Sequence, residues 1–63
     1  MERIYSVTWL ENLKQYVVKM SKLPKVAELD HVYRQPLHSY VFLKAKSYAE
    51  AASEGINLIE GKL

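Results

Sequence analysis

The sequence predicts an α+β domain in which two helices cover one face of an antiparallel sheet. Three observations carry that expectation. The stretch His38 to Ala45 alternates, with Tyr40 and Phe42 pointing one way and Val41, Leu43 and Ala45 the other, a period of two that specifies a strand. Ser47 with Glu50 three residues on forms a capping box, so this strand feeds directly into a helix. Trp9, Leu10, Leu13, Tyr16, Val17, Met20 and Leu23 fall at helical spacing and predict a second helix nearer the start of the chain.

Taken in order, Arg3 to Val7 is short and β-prone and is expected to be a strand. Tyr5 and Val7 share one face, and Ile4 and Ser6 the other, core-facing one, where a buried hydroxyl needs a partner. Thr8 and Glu11 form a capping box for the helix predicted to run on to Leu23. Glu11, Asn12, Lys14, Gln15, Lys19 and Lys22 line its wet side, and only Val18 breaks the pattern. A rival reading makes Gln15 to Ser21 a strand, because Tyr16, Val18 and Met20 also alternate. Helix is preferred because the pattern runs for about four turns and no Gly, Pro or Asp is available for a hairpin turn directly after Trp9; Pro24 then ends the helix.

Val26 to Arg34 suits a short helix or a bent strand. It is taken as a strand that returns through Gln35-Pro36-Leu37 to pair antiparallel with the segment from His38 to Lys46. The last helix begins at Tyr48, with Tyr48, Ala51, Ala52, Ile56 and Ile59 as its inner stripe and Gly61 as its stop. Gly55 in its middle either weakens it or lets it approach the sheet closely. The resulting order is strand, helix, strand, strand, helix: a ferredoxin-like βαββα arrangement that lacks the last strand.

With 63 residues the chain is one domain, residues 1 to 63, of marginal stability. It has no cysteine, which favours a reducing, intracellular setting (cytoplasm or nucleus) over a disulfide-stapled secreted one. Two histidines without cysteines argue against a structural zinc, and no other cofactor is expected. No apolar run reaches the roughly 20 residues of a membrane span, and Met1-Glu2-Arg3-Ile4 lacks the build of a signal peptide. A net charge of +2 permits a phosphate-bearing partner without demanding one.

No paired carboxylates, nucleophile elbow or metal-ligand spacing appears, so an enzyme is not expected. Glu11 and Glu50 are accounted for as helix caps, and Trp9 as a core anchor. Lys14, Lys19, Lys22 and Lys25 read as a solvated helix face, and His31 and His38 as surface histidines.

One resemblance bears on function. His38-Ser39-Tyr40-Val41-Phe42-Leu43-Lys44-Ala45 matches at Tyr40, Phe42 and Leu43 the pattern basic-Gly-aromatic-Gly/Ala-aromatic-aliphatic-any-aromatic, and departs from it at Ser39, Val41 and Ala45. Ile4-Tyr5-Ser6-Val7-Thr8-Trp9 matches aliphatic-aromatic-aliphatic-x-Asn-Leu at its first two positions. In these stretches the chain resembles the RNA-recognition-motif family. The resemblance implies single-stranded nucleic acid stacked on Tyr5, Tyr40 and Phe42. From the residues themselves, Lys44, which shares that face by alternation, and Arg34 lie near enough to it to meet phosphates, and His38 can lend a donor. The other reading of the same aromatic face, or of the open sheet edge, is a protein partner or a homodimer.

Overall fold

The structure, a computed structural model, describes residues 1–62. Four strands and one helix follow one another: β1 (Arg3–Leu10), β2 (Gln15–Met20), β3 (Tyr33–Arg34), β4 (His38–Ala45) and α1 (Tyr48–Glu60). The strands form a single antiparallel sheet in the order β2-β1-β4-β3. Two hairpins, β1–β2 and β3–β4, lie side by side with the long strands β1 and β4 at the centre. The connection between Met20 and Tyr33 carries the chain from one edge of the sheet to the other, touching β4 where Leu29 bridges Phe42 and the Asp30 N–H donates to the Phe42 carbonyl at 2.8 Å.

The ferredoxin-like βαββα expectation is therefore overturned: the order is ββββα, and one helix, not two, covers the sheet. The segment expected as the first helix is the second half of β1, a turn, and β2. The turn closes without Gly, Pro or Asp because Lys14 itself takes the left-handed conformation, φ 52°. Glu11 helps to hold it, accepting from the Trp9 indole N–H at 3.1 Å and pairing with the Lys14 ammonium. Val18, the one residue out of step with a helical stripe, is in step with a strand. It lies opposite Val7 and packs against the core.

The longer strand expected over Val26 to Arg34 shrinks to Tyr33–Arg34, with a turn at Lys25 and Val26 and an isolated bridge at Leu29. The expected antiparallel return through Gln35-Pro36-Leu37 forms, closed by the Gln35 N–H donating to the His38 carbonyl at 2.9 Å.

α1 starts and stops where its signals lie. The Ser47 hydroxyl accepts from the Glu50 N–H at 3.1 Å, satisfying one of the helix's free first-turn donors. Gly61, at φ 75°, ends the helix, with its own N–H and that of Lys62 closing on the Leu58 and Asn57 carbonyls. Leu63 lies outside the described residues. Ala51, Gly55 and Ile59 face inward, and Gly55 lets the helix settle directly onto Val7 of β1. The core between helix and sheet is Tyr5, Val7, Val41, Leu43, Ala45, Ala51 and Ile59, with Trp9, Tyr16, Val18, Ile56 and Leu58 packed at its margin.

Candidate functional site

Cross-strand partners in a sheet share a face. Val7 stands opposite Val41, and Tyr5 opposite Leu43, so Tyr5, Val7 and Trp9 lie with Val41 and Leu43 under α1. Tyr5 is 3% exposed, and its ring meets that of Tyr48 edge-on at 5.1 Å. It does not join the solvent-facing platform expected for it. The faces of β1 are the reverse of the sequence reading: Tyr5 faces the core, and Ile4 and Ser6 face away from the helix.

Arg34 is also on the helix side, paired with Ser39, where its guanidinium donates to the Ile59 carbonyl at 2.9 Å. There it tethers the end of α1 to the sheet instead of flanking the aromatic face.

The other four candidates stay together. His38, Tyr40, Phe42 and Lys44 project from alternate positions of β4 onto the uncovered face. Ile4, Ser6, Thr8 and Leu10 extend this face across β1, and Gln15, Val17 and Lys19 across β2. β3 adds Tyr33, directly opposite Tyr40. The rings form one cluster. Tyr40 stacks on Tyr33 with centroids 5.2 Å apart and planes 19° from parallel, and on His38 at 5.7 Å and 17°. Phe42 meets Tyr40 at 5.9 Å and 78°, so the pair presents ring faces in two directions. His31 closes the row, edge-on to Tyr33 at 4.6 Å.

Tyr33 and His31 are the members that sequence reasoning missed. Counting back through Gln35-Pro36-Leu37 from Tyr40 would have placed Tyr33 on this face, since the hairpin pairs the two.

The charge on this face is one-sided. Lys44 and Lys19 are exposed at its Phe42 end, Lys44 opposite Ile4 and Lys19 opposite Ser6. No strand position on this face carries a carboxylate; Glu28 and Asp30 lie beside it in the connection before β3. Between Lys19 and Phe42, the Ser6 hydroxyl is buried without a hydrogen-bond partner.

A concavity of about 390 Å³ opens on the helix side, lined by Trp9, Glu11, Tyr16, Arg34, Ser39, Ile59 and Glu60. Its charged groups are partnered within the chain. Glu11 is held by Trp9 and Lys14, Arg34 by the Ile59 carbonyl, and Glu60 by Lys62 at 3.0 Å and the Tyr16 hydroxyl at 3.0 Å. Burial, and then the Glu60 carboxylate, push the Tyr16 phenol above its ordinary range. Lys62, and then Tyr16, hold Glu60 below the usual carboxylate range. This is the chemistry of a latch between β2 and the end of α1.

Among the described residues no group of three or more His, Cys, Asp or Glu side chains is placed to hold a metal ion, and no helix is long and apolar enough to cross a membrane. Comparison with protein-family models, curated proteins and solved structures gives no match.

Proposed function

We propose that this chain is a non-enzymatic binding module that takes single-stranded nucleic acid on the uncovered face of its sheet. The observation that carries the reading is the ring cluster of Tyr33, His38, Tyr40 and Phe42, with Lys19 and Lys44 alongside and no carboxylate on the strands that form the face. Rings can stack bases, at about 1–3 kcal/mol each, and lysines can meet phosphates. The reading rests on this face and not on a ferredoxin-like architecture. Tyr33 takes the place that the sequence reading gave to Tyr5.

A protein partner is the second reading. Val17 is exposed in the same face, with Ile4 and Leu10 half-buried beside it, and Tyr40 already spends ring surface on Tyr33 and His38.

A titration of the isotopically labelled chain with short mixed-sequence single-stranded RNA and DNA at low salt separates the two. Nucleic-acid binding is expected to shift the resonances of Tyr33, His38, Tyr40, Phe42 and Lys44 while leaving Tyr48 in place. Phe42→Ala is expected to weaken binding by about 1–3 kcal/mol, and Lys44→Ala to lower the slope of log affinity against log salt by about one. No shift on this face at low salt would leave the protein-partner reading standing alone.

A further inference from the structure

β2 is an edge strand, and Lys19 is the one charged side chain that guards it. Over Gln15–Met20 its pairing with β1 is one-to-one with no bulge, and it contains no proline. Antiparallel pairs alternate between hydrogen-bonded and non-bonded. The Ser21 N–H donates to the Ile4 carbonyl at 3.0 Å, which fixes the phase. Lys19, Val17 and Gln15 bond inward to β1, so the N–H and C=O groups of Tyr16, Val18 and Met20 point outward, away from the sheet.

We infer that a second copy of the chain pairs antiparallel with this edge, β2 against β2, with Val18 on the two-fold axis. Three observations select this occupant and this register. The opposite edge of the sheet, β3, is two residues long, so a head-to-tail pairing of copies would leave most of β2 uncovered. Only the β2–β2 contact uses the whole strand from both sides. Outward groups must also meet outward groups. With Val18 opposite Val18, Tyr16 meets Met20 of the other copy, and each of the three outward residues exchanges bonds with one like itself. A shift by two residues, placing Val17 on the axis, would leave Met20 without an extended partner, because Lys14 opposite it lies in the turn. Finally, the side chains suit one another. Tyr16 faces Met20, which is 49% exposed in the single chain, Val18 faces itself, and Lys19 faces Val17 and not another lysine.

The axis of such a pair runs perpendicular to the sheet. It joins the two four-stranded sheets into one, with both helices on one side and both aromatic faces on the other. The pairing is independent of what the aromatic face binds.

Sedimentation over a concentration series, with four altered chains, tests it. The mass is expected to rise from 7.3 kDa towards twice that value as concentration increases. In Val18→Pro the lost N–H points outward, so the β1–β2 ladder keeps its bonds while the edge is blocked. A synthetic chain N-methylated at Val18 blocks the same N–H and keeps the side chain. Both are expected to lower the association constant by about tenfold or more, since each copy loses a bond at the axis. The chain has no cysteine of its own, so Val18→Cys carries one thiol per copy. With Cα atoms about 5.5 Å apart across the axis it is expected to form an intermolecular disulfide on mild oxidation. Val17→Cys, diagonal to its counterpart at about 7–8 Å, is not. A mass that stays at 7.3 kDa up to millimolar concentration overturns the inference. So does unchanged association of the N-methylated chain, or crosslinking of Val17→Cys as fast as Val18→Cys.

Discussion

At the scale of single residues, two positions carry tension that substitution can expose. A Cβ built on Gly55 would stand 2.6 Å from Val7 Cβ and 2.9 Å from Val7 Cγ1, closer than packed atoms allow. Val7 is fully buried in the centre of β1 and has nowhere to go. Gly55→Ala gains about 1 kcal/mol of helix propensity but forces overpacking that costs about 1–3 kcal/mol. A net loss of stability in urea titration is expected, and adding Val7→Ala is not expected to restore it, since the Cβ at 2.6 Å remains and buried methyl groups are lost. If Gly55→Ala alone is stabilising, the helix does not sit on Val7. Ser6 is the opposite case. Its hydroxyl is buried and unpartnered, which costs about 1–3 kcal/mol, so Ser6→Ala is expected to raise the midpoint of unfolding by about 1 kcal/mol of stability. A loss instead would show that the hydroxyl has a partner in solution.

At the scale of elements, the β1–β2 hairpin and the β2–α1 latch each make a measurable claim. Lys14 holds the left-handed conformation that the turn needs, at a cost of about 1 kcal/mol for a residue with a Cβ. Lys14→Gly removes that cost and loses only an exposed ion pair with Glu11, so a stabilisation of about 0.5–1 kcal/mol is expected in chemical denaturation. The same residue explains why the hairpin could not be read from the sequence: the turn has none of the residue types that announce one. β4 and α1 were legible because alternation, a Ser cap and a terminal Gly all agree there. The faces of β1 were not legible, because a strand's faces follow from register, and register comes from its partners. Once Tyr5 stands opposite Leu43 it must be buried. The latch between Tyr16 and Glu60 predicts a pH dependence of definite sign. The folded chain holds the Tyr16 proton more tightly than an unfolded chain does, so its contribution is complete below the ordinary phenol pKa of about 10. It is lost as pH rises through the raised folded value. Glu60 is shifted down, so its contribution is present above about pH 4.3 and lost as pH falls through the depressed folded value. Denaturation at a series of pH values is expected to show an alkaline decline in the parent chain that is smaller in Tyr16→Phe. An identical decline in both would place the alkaline loss elsewhere.

At the scale of the whole molecule, the sheet has two free surfaces with different electrostatics, and ionic strength separates them. Nucleic acid on the aromatic face would release counterions, so its affinity is expected to fall as salt rises. Pairing of two chains through β2 goes the other way. With Val18 on the axis, the two Lys19 side chains stand diagonally across it on the shared uncovered face, about 7 Å apart at their bases. Two like charges at that distance in water repel by about 0.6 kcal/mol, and ammonium groups splayed on their stems repel less, so the effect is at most a factor of about two to three in the association constant. Added salt screens part of this, since the Debye length at 0.1 M is about 10 Å. Self-association is therefore expected to strengthen modestly from low to moderate salt. Lys19→Gln should gain the same factor at low salt and lose most of the salt dependence. Sedimentation equilibrium of both chains across a salt series measures all of this. Association that weakens with salt in the parent chain, or a Lys19→Gln chain that associates no better at low salt, would mean that the two lysines do not meet across the axis, and the Val18 register would fall with them.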